Sequence, residues 1–298
     1  MAPALRIFPA FAVVSLLVML SSSAAWADIR VNDDAGQELV LERPARRIVS
    51  LAPHITELLF AAGAGDFVVG VSAFSDYPAA ARAIPRIGGG SGLDVEAIVA
   101  LQPDLVVAWQ SGNPARQITH LQSLGMTVFV SEPQDLMAVP DTMEKLGRLA
   151  GTETVARDAV AAYTHRYKQL KQQYSDRADV NVFYQIWAQP VMTVNGRHLI
   201  SAVMRLCGGR NVFADLASLA PRVDVEAVLA ANPEVIIAGD DSGSDLRPLA
   251  QWRRWPEIAA VQHDHLYTIP RELLVRHSPR ILEGAELLCR MLDKVRAE

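Results

Sequence analysis

Leu93–Ala108 reads LDVEAIVALQPDLVVA and Val223–Ala238 reads VDVEAVLAANPEVIIA, two stretches that align without a gap at an offset of 130 residues. Asp, Val, Glu and Ala coincide at the start, an Ala and a Pro coincide further on, and a final Ala closes both. Most other positions exchange one aliphatic residue for another. Self-similarity of this kind marks a duplicated architecture. Asp94 and Asp224 suit helix N-caps, and Glu96 and Glu226 then fall in the first turn, where the helix dipole favours negative charge. Apolar residues follow at helical spacing, Pro103 and Pro233 stop each helix, and LVVA or VIIA reads as a buried parallel strand. Each copy is a helix–turn–strand piece of an α/β lobe, so two similar lobes are expected.

The segment between the copies differs. Thr152 to about Ala178 (TETVARDAVAAYTHRYKQLKQQYSDRA) holds no Gly or Pro and is rich in helix formers. Val155, Ala159, Ala162, Tyr163, Tyr167 and Leu170 form an apolar stripe at helical spacing. Roughly 25 residues rising about 1.5 Å each give a rod of about 40 Å, enough to join two lobes. Elsewhere strands and helices alternate. Arg47–Leu51, Val68–Val71, Leu105–Trp109 and Thr127–Val130 are predicted strands of the first lobe. Val180–Trp187, Val235–Ala238 and Leu266–Ile269 are those of the second. Thr56–Ala62, Pro114–Leu124, His198–Leu206 and Ser278–Val295 are predicted helices. The expected fold is α/β: two Rossmann-like lobes bridged by a single long α-helix, with a ligand cleft between the lobes. Its expected divisions are a leader at 1–27, an N-terminal lobe at 28–151, the linker helix at 152–178 and a C-terminal lobe at 179–298.

Composition narrows the function. Of 298 residues, 50% are hydrophobic and 20% charged, and the formal charge is −5, which leaves no broad basic face for nucleic acid. Arg6, the apolar run from Ala10 to Leu20 and the A-x-A site Ala25-Trp26-Ala27 read as a secretory signal peptide cleaved before Asp28. That run is far short of the roughly 20 residues needed to cross a bilayer, and no Cys follows it to carry a lipid. A soluble, exported, periplasmic protein is expected. The two cysteines, Cys207 and Cys289, favour a disulfide in an oxidising compartment, with buried free thiols or a metal site as the alternatives.

Catalytic signatures are missing: there is no H-E-x-x-H, G-x-S-x-G, Walker A loop or strand-associated G-x-G-x-x-G. Gly88–Gly92 (GGGSG) lacks the lysine of a phosphate loop and reads as a loop at a cleft edge. A periplasmic enzyme acting on a small metabolite is the competing class, but it would need a nucleophile or a metal. His263 and His265 are weak metal candidates, and His54, with Glu57 as a capping residue, sits at a strand-to-helix junction. Aromatic placement is more telling. Open α/β folds bind ligands beyond the carboxyl ends of their strands. Tyr77 follows the strand ending near Val71, Trp109 ends LVVA, and Trp187 ends VFYQI in the other lobe. Such rings offer wide apolar walls with a polar edge, and Arg276 is placed to meet a polar or anionic ligand edge.

RIVSLAPHITELLFAAG, GVSAFSDYP, LQPDLVVAW, GNPARQITHLQSLGM, LCGGRNVF and HSPRILEGAELLC together resemble the periplasmic cobalamin-binding proteins of vitamin importers. These form part of a larger family of helix-linked receptors for cobalamin, ferric siderophores and haem. The resemblance runs from about Arg46 to the C-terminus. It implies two lobes with the ligand between them, limited hinge motion about the helix, no enzymatic turnover and no cofactor beyond cobalamin, which carries its own cobalt. It further implies a monomer that docks on a membrane permease dimer with ATPase subunits through one surface Glu per lobe, here Glu96 and Glu226. It also implies a disulfide in the C-terminal lobe between Cys207 and Cys289. Tyr77 and Trp109 match the pattern. Bulky aromatics expected near Gly90 and before Pro221 are replaced by Gly90 and Ala220, for which Trp187 is expected to compensate. A ferric siderophore or haem is the alternative ligand.

Overall fold

Strands that read as unbroken aliphatic runs bury both faces, the condition for a parallel sheet covered by helices on each side. The computed structural model describes residues 28–89 and 92–298, and it contains two such sheets. The expected leader and the Gly90 position lie outside the described residues. Across the first sheet lie Val68–Val71, Ile48–Ser50, Leu105–Trp109 and Val128–Ser131, all parallel to their neighbours. Across the second lie Gly209–Asn211, Val180–Gln185, Val235–Asp240 and Leu266–Pro270, again all parallel. In both sheets the second strand in chain order takes the edge beside the first. The duplicated stretches each supply the third strand.

The pleat sends alternate side chains to opposite faces. Leu105 and Val107 join an inner core, while Val106 and Ala108 face an outer one. In the second lobe Val235 and Ile237 point inward, and Ile236 and Ala238 pack outward around Trp252. The inner core runs unbroken through both lobes by way of the linker helix.

The duplication persists in detail. Asp94 Oδ1 accepts from the Ala97 N–H at 2.9 Å, and Asp224 Oδ1 accepts from the Ala227 N–H at 2.7 Å. Ile98 and Val228 anchor the short helices Val95–Ala100 and Val225–Ala231 on the outer faces. Gln102 and Asn232 adopt positive φ values of 45° and 40°. Both helices therefore stop before their prolines, which follow the reversal rather than cause it. Asp104 then accepts the backbone N–H of Arg46 and Arg47, and Glu234 that of Asn181, tying each third strand to the start of the first.

The linker helix spans Glu153–Tyr174, 22 residues, or about 33 Å. Its buried stripe is Ala156, Tyr163, Leu170 and Tyr174, whereas Val155 is 51% exposed and Ala162 lies in solvent. The stripe is rotated from the expected one because the helix must seat against elements of both lobes, Ala138–Ala150 and Ile281–Ala297. Tyr163 donates its hydroxyl to the Leu136 carbonyl at 2.7 Å.

Three expectations need correction. The edge strand Gly209–Asn211 was not predicted, since Gly-Arg-Asn carries no β pattern. The strand from Val180 ends at Gln185, and Trp187 belongs to a separate hairpin, Trp187–Ala188 against Val191–Met192. Glu57 caps nothing; the N-cap of helix Pro53–Ala61 is Ala52, with no side-chain bond. Cys207 and Cys289 do form a disulfide, joining the end of helix Leu199–Leu206 to helix Ile281–Ala297 across a sequence separation of 82.

Candidate functional site

The sheet order reverses between the first and third strands of each lobe, and crevices open at the carboxyl ends of such pairs. In the N-terminal lobe Asn113 stitches that crevice: its Oδ1 accepts the Trp109 N–H at 2.7 Å and its Nδ2 donates to the Leu51 carbonyl at 3.0 Å. Gly112 lets the indole lie against the loop, because a Cβ there would overlap the six-membered ring of Trp109. Trp109 is thus fixed by its backbone neighbours, with its Nε1 buried and without a partner.

Three imidazoles gather beside it. His54 stands in the first turn of helix Pro53–Ala61, its ring 4.9 Å from Trp109 in edge-to-face contact. His277, from the loop before helix Ile281–Ala297, lies 5.6 Å from His54 and 5.8 Å from Trp109. His198, N-cap of helix Leu199–Leu206, lies 5.6 Å from His277, and its Nδ1 accepts the Ile200 N–H. Burial, reinforced by the Arg276 charge, brings His54 down to about 3. Burial alone brings His198 to about 4. Burial, and then the neighbouring His54 and His198, hold His277 well below the usual range. All three rings are neutral at pH 7. His54 Nε2 and His277 Nδ1 are buried with no hydrogen-bond partner, a costly state for polar groups in a protein interior.

One turn beyond His54, Glu57 collects charge from the other lobe. Its carboxylate accepts Arg276 Nη1 at 2.9 Å, the Ser278 hydroxyl at 2.6 Å, and Arg280 through Nε at 2.9 Å and Nη2 at 2.8 Å. Arg276 reaches further into the N-terminal lobe, to Asp76 at 2.8 Å and the Phe74 carbonyl at 3.1 Å. The Arg280 guanidinium stacks 4.0 Å over the Tyr77 ring. Partial burial works to raise the Asp76 carboxyl, but the Arg276 hydrogen bond and charge outweigh it and lower the net pKa. With its side chain only 2% exposed, Glu57 is a buried anion neutralised by two cations, and the bridge holds the lobes together at the cleft floor.

Tyr77, Trp109, Arg276 and His54 therefore converge on one seam. Trp187 does not join them: it is 56% exposed and donates its indole N–H to the Gln189 carbonyl in its hairpin. Glu96 and Glu226 are both solvent-exposed on the outer helices and make no contact with the seam side chains described above. His265 is committed to the Glu234 carbonyl and the Glu298 carboxylate, with His263 stacked at 5.6 Å. Among the described residues no group of three or more His, Cys, Asp or Glu is placed to hold a metal ion. Sequence reading missed His198, His277, Ser278 and Arg280, and the bridging role of Glu57. The run Arg276–Arg280 (RHSPR), polar where a closing helix begins, was the available signal.

The cavity beside His198 and His277, bounded by Glu132, Pro133, Leu199 and Leu219, holds about 160 Å³. A second cavity, lined by Glu57, Tyr77, Tyr163 and Arg280, holds about 500 Å³, within the range of roughly 300–1,000 Å³ usual for small-molecule sites.

Residues 48–273 match the periplasmic binding protein family. The vitamin B12-binding protein of Vibrio cholerae serotype O1 is 37% identical over 250 residues, covering 84% of this chain and 90% of that protein. The vitamin B12-binding protein of Vibrio parahaemolyticus is 34% identical over 253 residues, covering 85% and 91%. Among solved structures, the periplasmic vitamin B12 binding protein of Vibrio cholerae superposes with a TM-score of 0.80 at 36% identity, over 86% of this chain and 99% of that one. The periplasmic haem binding protein of the same species superposes with a TM-score of 0.71 at 18% identity, over 83% and 98%, a likeness of fold alone.

Proposed function

This chain belongs to the periplasmic binding protein family, and we propose that it captures cobalamin between its lobes and delivers it to the membrane permease of an ATP-driven importer. The observation that supports this most is the seam itself. A fixed indole and unpartnered buried ring nitrogens face one another at the carboxyl ends of two parallel sheets, where a large chelate has an apolar wall and polar groups to satisfy. Identity above 30% to vitamin B12-binding relatives over more than four-fifths of the chain favours cobalamin over a siderophore or haem. The protein carries its ligand and does not transform it.

In this reading the Glu57 bridge opens as the lobes part about the linker helix, and Arg276 exchanges lobe-one partners for the ligand's polar rim. Trp109 lies against the corrin face and Tyr77 lines the entrance. Reclosure sequesters the ligand from water. Glu96 and Glu226 project from equivalent outer helices, so a two-fold permease dimer meets two similar acidic contacts, one per half. The protein works in the periplasm as a monomer, after its leader is removed near Asp28.

Calorimetric titration of the chain from Asp28 onward against cyanocobalamin, a ferric hydroxamate and haem tests the assignment. One-to-one binding of cyanocobalamin, at least about a hundredfold tighter than the other two, is expected, a gap of about 2.7 kcal/mol. Saturable binding of haem or the hydroxamate with none of cyanocobalamin would refute the ligand.

A further inference from the structure

His54 and His277 are only 2% and 4% exposed, yet His54 Nε2 and His277 Nδ1 have nothing to bond. They belong to different lobes, with ring centroids 5.6 Å apart. Buried imidazoles ordinarily pass their protons or lone pairs to a carbonyl, a carboxylate or water, as His265 does here. This pair forgoes such partners at the seam between the lobes. His198 is the third imidazole nearby, but its Nδ1 is taken by the Ile200 N–H, and among the described residues no group of three or more His, Cys, Asp or Glu is placed to hold a free metal ion. Two lone imidazoles suit a metal that arrives with its equatorial positions already filled and needs a single further donor.

We propose that the His54–His277 pair supplies an axial imidazole to the metal of the bound chelate, selecting corrinoids whose upper axial ligand exchanges. This rests on the cobalamin reading above. With aquocobalamin the step is a simple substitution. The neutral ring nitrogen donates its lone pair to Co(III) as the cobalt–water bond breaks. The water leaves with its own electron pair, the cobalt stays Co(III), and no proton moves. Cyanide or an alkyl carbon holds its position far more strongly, so those forms bind without ligation. Because one imidazole stands on each lobe, the upper face finds a donor whichever way the corrin lies.

Visible absorption of the corrin reads the ligation directly. Aquocobalamin bound to the protein is expected to shift its bands to those of an imidazole complex, while cyanocobalamin keeps its spectrum. Aquocobalamin should bind at least about tenfold more tightly, a difference of about 1.4 kcal/mol. The double variant H54N/H277N should lose the band shift and bring the two corrinoids to equal affinity, and the single variants identify which ring is the donor. Aquocobalamin bound without a band shift, or a shift that survives in the double variant, overturns the ligation and leaves the cobalamin assignment standing. Failure of both corrinoids to bind removes the cobalamin assignment and the ligation together.

Discussion

The two lobes are built alike on their outer sides and differently at their inner ends. Outside, Asp94 and Asp224 cap matched helices, Glu96 and Glu226 stand exposed in the first turn, and Gln102 and Asn232 reverse the chain with the same handedness. Inside, the equivalence fails at the strand end, where the N-terminal lobe places Trp109 and the C-terminal lobe places Gly239 at the same offset. The duplicated architecture thus keeps what a symmetric partner would read and gives up what an asymmetric ligand would touch.

The largest expected effect tests the shared outer face. E96A/E226A should reduce cobalamin uptake by cells to background while changing affinity less than about twofold, because exposed helix-start glutamates contribute little to folding. An affinity collapse in the double variant would move those residues into the cleft and break the comparison.

The disulfide is an asymmetry of stability, present only in the C-terminal lobe. Closing a loop of 82 residues stabilises by about 4–5 kcal/mol in the chain-entropy view. C207A/C289A should therefore lower the denaturation midpoint sharply, with the C-terminal lobe opening first. Hydrogen exchange resolved by peptide checks this, and equal loss of protection in both lobes would contradict it. Cutting the inter-lobe bridge should cost somewhat less. E57A leaves Arg280 without its carboxylate and Arg276 with Asp76 alone, a loss of about 3 kcal/mol, accompanied by a larger radius of gyration in the ligand-free protein as the lobes part. An unchanged radius would show that the linker and the shared core hold the lobes closed without Glu57.

The smallest effect comes from the imidazoles. The folded-state values of His54 and His198, about 3 and about 4, lie below the ordinary 6.5. Below pH 6.5 the unfolded chain takes up protons that the native rings refuse, so stability is full above that pH and declines as pH falls toward 4. Urea midpoints at pH 7.5 and 5.0 should show that decline, and H54N/H277N should reduce it, leaving the part that His198 contributes.

Much of the fold was legible because its determinants are local. An aspartate three residues before the amide it caps, a Gly-free and Pro-free helical run, and aliphatic strands all speak within a dozen positions. The buried face of the linker helix was not legible, since it answers to two lobes at once. Trp187 misled for a related reason: it follows an aliphatic strand, but Gln189-Pro190 turns the chain into a hairpin that carries the indole into solvent. The seam was legible only by half. Tyr77 and Trp109 announce themselves as aromatics at strand ends, whereas the Glu57 bridge spans sequence separations of 219 to 223 and no spacing rule reaches that far. His277 was hidden beside Arg276, a residue whose charge drew the attention.

Tryptophan fluorescence of the mature protein, titrated with cyanocobalamin in wild type and in W109A, tests the central claim most directly. The account predicts saturable one-to-one quenching in the wild type, with most of the quenching and at least about a hundredfold of affinity, near 2.7 kcal/mol, lost in W109A. Quenching and affinity that survive the substitution would mean that the ligand does not lie against the N-terminal wall, and that the inner asymmetry of the lobes serves something else.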